Sequence, residues 1–124
     1  MQQVRPMFLN LMQIRFPVTA IISIGHRLSG VVLFLALPWL LYLYQHSIAS
    51  LQSFNAIRQG LHSMPQIIFA VIVLAAALYH LVAGLRHLIM DIGIGESWAV
   101  ARVSAYLTFI VWIVLLAVCG VWIW

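Results

Sequence analysis

The chain has 124 residues, of which 65% are hydrophobic and only 6% are charged, and its formal net charge is +4. Soluble domains carry about 25% charged residues, and a fold of this size cannot hide so much apolar surface from water, so we expect an integral membrane protein. The six basic residues are all arginines and are scattered along the chain, which excludes a basic patch for nucleic acid.

Three apolar segments are long enough to cross a bilayer, because a spanning helix needs about 20 mostly apolar residues. They run from about residue 17 to 44, from 65 to 90 and from 103 to 124. Without an internal repeat, the sequence predicts one all-α membrane domain, 1–124, with three transmembrane helices. Pro17 fits a first helical turn, and Pro38 predicts a bend near the far end of the first span.

The linkers between the spans are polar and carry the orientation signal. The first contains LQSFNAIRQGLH, which predicts a short surface helix, and its Arg58 is the single arginine on that side. Four arginines flank the other membrane face: Arg5, Arg15, Arg86 and Arg102. The positive-inside rule therefore predicts a cytoplasmic N-terminus. Aromatic residues at the far ends of the spans fit an aromatic belt: Tyr42, Tyr44, Trp122 and Trp124.

A polar stripe follows one face of the first span. At about 100° per residue, six residues fall within a third of the helix circumference: Arg15, Thr19, Ser23, His26, Arg27 and Gly30. The stripe predicts that these groups face a partner or a cavity while aliphatic residues face lipid. An arginine near the middle of a span costs about 2.5–3.5 kcal/mol, which argues for a specific partner of Arg27. The alternative is an Arg27 side chain that snorkels to the near surface.

The second span repeats this pattern in ALYHLVAGLRHLIMD, where His80, Gly84, His87 and Asp91 share one face. Gly84 leaves room for a flat group or for a closely packed helix. A neutral imidazole such as that of His80 is a good axial ligand for haem iron, although a lone histidine can equally bond a neighbouring helix. Arg86, His87 and Asp91 lie near headgroup level, where anchoring and local ion pairing compete with a ligand role.

The two polar faces lie at matching depth in antiparallel helices. His80 precedes Asp91 by about eleven residues, and Arg27 follows Pro17 by about ten. A guanidinium beside a buried imidazole suits a ligand with carboxylates, and haem propionates would supply that negative charge. His46 and His62 belong to the outer loop or its edges, and we interpret them as solvated. Cys119 is interpreted as a small apolar residue.

Two motifs resemble the cytochrome b membrane-anchor family of succinate dehydrogenase, or respiratory complex II, in its larger anchor type. The stretch SIGHRLSG, from Ser23 to Gly30 and preceded by Arg5-Pro6, is similar to the family's S-x-x-H-R-x-[ST]-G. HLVAGLRHLIMD, from His80 to Asp91, is similar to H-x3-G-x-R-H-x3-D. Gly25 departs from the pattern, because relatives often have a bulkier apolar residue there.

The resemblance implies that the three helices form half of a haem-binding bundle with a second small anchor subunit. His80 would be one axial ligand of haem b, and the partner anchor would supply the other. Arg27 and His26 would contact the haem propionates, with His87 and Gly84 as secondary contacts. Ser23 and Arg27 would line a ubiquinone site on the cytoplasmic side of a bacterial inner membrane.

The implied activity belongs to the whole complex. Succinate is oxidised in a flavoprotein subunit, and electrons reach ubiquinone through an iron–sulfur subunit, so this chain alone is not expected to be catalytic. A related alternative is the anchor of a fumarate reductase working in the opposite direction. A different alternative is a non-redox membrane adaptor or transporter subunit in which His26, Arg27 and His80 carry protons or anions.

Overall fold

A computed structural model describes residues 16–123, with Ile123 described by its backbone alone. This part of the chain contains four helices. They are α1 (Val18–Ala49), α2 (Leu51–Gly60), α3 (Met64–Asp91) and α4 (Trp98–Ile123). α1, α3 and α4 are long and apolar enough to cross a membrane. The predicted all-α membrane fold with three spans is therefore confirmed, while Arg5, Pro6, Arg15 and Trp124 lie outside the described residues.

The helices extend beyond the predicted spans. α1 has 32 residues and continues through Pro38 to Ala49, so at 1.5 Å per residue it measures about 48 Å against a hydrocarbon core of about 30 Å. Its last turns therefore belong to the membrane surface. α4 begins five residues before the predicted start, because the loop from α3 is a tight turn in which Gly93 and Gly95 adopt positive φ angles of 83° and 81°.

α2 is the short surface helix that the linker sequence predicts. Its N-cap is Ser50, whose hydroxyl oxygen accepts a hydrogen bond from the backbone N–H of Ser53 at 3.1 Å. The N-cap position of α3 is Ser63, but its side chain makes no capping bond, and Pro65 occupies the first turn instead. α2 packs against α1 on the side of the bundle remote from the α3–α4 loop.

The three spanning helices share a small core in which α3 is central and packs against both α1 and α4. Ile22, Tyr79, Ala83 and Ala105 are buried there. The Tyr79 hydroxyl donates to the carbonyl oxygen of Ile22 at 3.4 Å, which links α3 to α1. Most other large apolar side chains are exposed on the outside of the helices, as expected for surfaces that face lipid or a partner helix.

Candidate functional site

Three histidine side chains meet where α1 and α3 pack. The ring of His26 stacks on that of His80, with centroids 4.1 Å apart and planes inclined by 19°. It also stacks on the ring of His87, at 5.2 Å and 25°. His80 and His87 are about 10 Å apart along α3, so His26 lies between them. His26 and His80 therefore lie at the same depth, and Arg27, for which the match with His80 was predicted, is the residue next to His26.

Two glycines allow this close approach of helix and imidazole. A Cβ atom on Gly84 would lie 3.0 Å from Nε2 of His26, and one on Gly30 would lie 3.1 Å from Cε1 of His80. Both distances are shorter than ordinary van der Waals contact. The space that the sequence predicts beside Gly84 is thus filled by His26, and each glycine accommodates an imidazole from the opposite helix.

The hydrogen bonds of His80 define which ring nitrogen carries the proton. Its Nδ1 lies 3.1 Å from the carbonyl oxygen of His26, and that oxygen can only accept. Nδ1 therefore carries hydrogen, which in the neutral imidazole leaves the lone pair on Nε2. The Ser29 hydroxyl lies 3.2 Å from the same Nδ1 and donates to the His26 carbonyl at 2.8 Å. His87 is held in the same tautomer, with Nδ1 2.6 Å from the carbonyl oxygen of Ala83.

Ser23 and Arg27 lie at the edge of this contact. Ser23 is half-buried, whereas Arg27 is exposed. The polar stripe grouped Arg27 with the inward-facing residues, but within this chain the guanidinium is not covered by α3. Ser23 and Arg27 are four residues apart and so are neighbours on one flank of α1, beside the histidines and open to a second chain.

Arg86 lies in a different environment from the predicted one. Only 8% of its surface is exposed. Its guanidinium forms two hydrogen bonds to α4: Nε donates to Ser104 Oγ and Nη2 donates to the Ala101 carbonyl, both at 3.0 Å. Asp91 is exposed at the end of α3. Of the alternatives considered for Arg86, the structure favours neither headgroup anchoring nor ion pairing, because neutral oxygens of α4 accept from two of its donors inside the bundle.

The remaining histidines lie away from the cluster. His46 and His62 are both exposed, and Nδ1 of His46 lies 3.1 Å from the Tyr42 carbonyl oxygen. Across residues 16–123, no three side chains of His, Cys, Asp or Glu converge on a position for a metal ion. A groove of about 350 Å³ between α3 and α4 is lined mainly by apolar residues and by none of the histidines.

Ser29 is the site residue that the sequence interpretation missed. It is 7% exposed and contacts both His26 and His80. The available signal was its position three residues after His26, which places both on one helix face. Ser29 occupies the [ST] position of the motif SIGHRLSG, but it lies just outside the third of the helix circumference that contains the polar stripe, so no role was predicted for it.

Residues 1–119 match the family described as succinate dehydrogenase/fumarate reductase transmembrane subunit. The chain belongs to this family. The resemblance carried by SIGHRLSG and HLVAGLRHLIMD is therefore confirmed, and the protein is a multi-pass membrane subunit of an oxidoreductase complex. The family match also extends through the N-terminal residues that lie outside the described part of the structure.

Three curated relatives are named succinate dehydrogenase cytochrome b556 subunit. The protein from Coxiella burnetii is 48% identical over 121 residues, covering 97% of both chains. That from Rickettsia felis is 34% identical, covering 88% of this chain and 91% of the relative. That from Rickettsia bellii is 32% identical, covering 77% and 81%. The similarity thus covers between 77% and 97% of this chain, rather than a single motif.

Proposed function

We propose that the chain is the cytochrome b anchor subunit of a succinate:ubiquinone oxidoreductase in a bacterial inner membrane. In this role it binds haem b together with a second small anchor subunit and contributes to the site of ubiquinone reduction. The observation that carries the proposal is the imidazole of His80, whose Nδ1 is held by the His26 carbonyl so that Nε2 is available as a ligand atom. The names of the bacterial relatives support the cytochrome assignment.

The residues around His80 fit a haem group. His80 precedes the end of α3 at Asp91 by eleven residues, or about 16 Å, which is near mid-membrane. A ligating histidine donates its other ring N–H to a carbonyl or carboxylate, and His80 Nδ1 has this arrangement with the His26 carbonyl. The His26 ring stacks on the face of His80 and so does not lie in the ring plane along the Nε2 lone pair. A second ligand for the haem would therefore be supplied by the partner anchor subunit.

The charge distribution fits the propionate groups of haem b. The chain has two acidic residues, Asp91 and Glu96, and both lie at the exposed end of α3 or in the following loop. Arg27 therefore has no carboxylate nearby in its own helix, and together with His26 it provides donors for two propionates. His87 and Gly84, which both pack against the His26 ring, would be secondary contacts. The bound haem supplies a one-electron carrier beside the quinone.

The proposed quinone contacts are Ser23 and Arg27, which are neighbours on one flank of α1. The Ser23 hydroxyl donates a hydrogen bond to one quinone carbonyl, and the Arg27 guanidinium stabilises the negative charge that develops there during reduction. Succinate is oxidised at the flavin of the flavoprotein subunit, and the iron–sulfur subunit passes the electrons to this boundary. The chain anchors those subunits and positions the reactants, while the redox chemistry belongs to the cofactors.

The quinone assignment is tested by comparing two electron acceptors in the purified complex. Ser23→Ala and Arg27→Ala are each expected to lower ubiquinone reduction by about 10-fold or more, because each removes a donor to the developing charge. Succinate oxidation with a soluble artificial acceptor is expected to stay near the wild-type rate. Arg58→Ala, at the exposed α2 surface, is the control and should leave both rates unchanged. Wild-type ubiquinone reduction in both variants, or an equal loss of both activities in a complex that retains all its subunits, would contradict the assignment.

A second candidate is the anchor of a fumarate reductase, because the family description includes both enzymes. The same site would then take electrons from a reduced quinone. The ratio of succinate oxidation to fumarate reduction in the purified complex, each measured with quinone as the partner, distinguishes the two directions. We expect succinate oxidation to dominate.

A further inference from the structure

We propose that Ser29 is a positioning residue that tunes the ligand strength of His80. Its hydroxyl shares the Nδ1–H of His80 with the carbonyl of His26 and so strengthens the electron donation of Nε2 to the haem iron. The inference rests on the proposed function, since it requires His80 to be an axial ligand. It concerns a residue that makes no contact with haem or quinone itself.

The hydrogen-bond geometry places two acceptor oxygens, those of Ser29 and of the His26 carbonyl, next to the Nδ1–H of His80. The His26 carbonyl oxygen has two lone pairs, and it faces three donors: the helical N–H of Gly30, the Ser29 hydroxyl at 2.8 Å and His80 Nδ1 at 3.1 Å. A hydroxyl can accept as well as donate. Ser29 Oγ, 3.2 Å from Nδ1, is therefore the second acceptor for the His80 proton while its own hydrogen is directed to the carbonyl.

The burial of Ser29 gives this arrangement its strength. Its side chain is 7% exposed, so little water competes for the Nδ1–H. On the next residue, Gly30 provides the space for the ring, since a Cβ there would lie 3.1 Å from Cε1 of His80. The segment from His26 to Gly30 thus contacts the Nδ1 and Cε1 edge of the His80 imidazole and fixes its position.

The consequence for the haem is a lower midpoint potential. Hydrogen bonds accepted from the Nδ1–H of a ligating histidine raise the basicity of the opposite nitrogen. A more basic ligand stabilises oxidised iron relative to reduced iron. Removal of the Ser29 hydroxyl leaves the Nδ1–H with the His26 carbonyl as its single acceptor and should therefore shift the potential in the positive direction.

The test is a redox titration of the haem absorbance in the purified complex. Ser29→Ala is expected to retain haem and to show a more positive midpoint potential than wild type. Ser29→Thr keeps the hydroxyl and is expected to restore the wild-type potential. Ser47→Ala is the matched control, because Ser47 makes the same type of bond in α1, to the Tyr44 carbonyl at 2.7 Å, far from His80 along the helix.

Each outcome decides the inference. An unchanged potential in Ser29→Ala, an equal shift in Ser29→Thr, or an equal shift in Ser47→Ala would overturn it. Loss of haem in Ser29→Ala with retention in Ser29→Thr would support it, whereas loss in both would indicate a packing role and overturn it. The proposed function is tested separately by His80→Leu: if that variant keeps its haem, the ligand assignment fails, whatever Ser29 does.

Discussion

Replacing Gly25 by alanine should destabilise the contact between α1 and α3. A Cβ atom at this position would lie 2.6 Å from Oη, 2.8 Å from Cε1 and 2.9 Å from Cζ of Tyr79. Ordinary contact begins near 3.4 Å, so the closest pair is short by about 0.8 Å. The Tyr79 ring cannot move away freely, because it is 8% exposed and its hydroxyl bonds the Ile22 carbonyl.

The expected cost combines two opposing effects. Overpacking of this kind costs about 1–3 kcal/mol, whereas alanine in place of glycine inside a helix gains up to about 1 kcal/mol. Gly120→Ala in α4 isolates the gain, because no heavy atom lies within 4 Å of a Cβ there. Gly25→Ala should therefore be about 1–3 kcal/mol less stable than Gly120→Ala. Tyr79→Leu should relieve the clash in the double variant.

The measurement is a reversible titration of the purified complex with a denaturing detergent, followed by circular dichroism. The four variants at positions 25 and 79 form a double-mutant cycle, and we expect a coupling of at least about 1 kcal/mol. A Gly25→Ala variant as stable as Gly120→Ala would refute the steric reasoning. So would a coupling within about 0.5 kcal/mol of zero.

Two further predictions concern Arg86 and the orientation of the chain. Arg86→Lys should destabilise the complex by about 1.5–3 kcal/mol, because an ammonium group cannot reproduce the paired hydrogen bonds to Ser104 and Ala101. The same detergent titration measures this loss. A variant as stable as wild type would be evidence against the α3–α4 link. For orientation, single cysteines replace Gln52 and Glu96 in a Cys119→Ser background and are treated with a membrane-impermeant thiol reagent. A cytoplasmic N-terminus predicts labelling at 52 from outside and at 96 only after the membrane is opened, and the reverse pattern would contradict it.

The sequence was sufficient for the fold because the bilayer restricts the possible structures. Apolar runs of spanning length must form helices, so the three spans followed from composition and length alone. Helical periodicity also placed His26 and His80 on faces that meet, since residues three and four apart share a face. The exact helix ends were less accurate: α4 starts at Trp98, within a polar segment where hydropathy does not mark the boundary.

The remaining site details depend on three-dimensional packing that periodicity does not encode. Arg86 comes shortly after a glycine within α3 and near the end of that helix, and this position in the sequence suggested headgroup depth. Its burial arises because Ser104 and the Ala101 carbonyl on α4 meet its donors. Arg27 shows the converse, because its place in the stripe suggested burial and the structure leaves it exposed to a second chain.

The haem content of three single variants of the same complex tests the ligand assignment most directly. His26→Leu, His80→Leu and His87→Leu each remove one ring of the stack and differ in little else. Haem per complex is measured from the reduced-minus-oxidised spectrum, after confirming that the chain is present in the membrane. We predict that His80→Leu loses the haem, while His26→Leu and His87→Leu retain at least part of it. Full haem content in His80→Leu, or loss in His87→Leu alone, would contradict the assignment of His80 as the axial ligand.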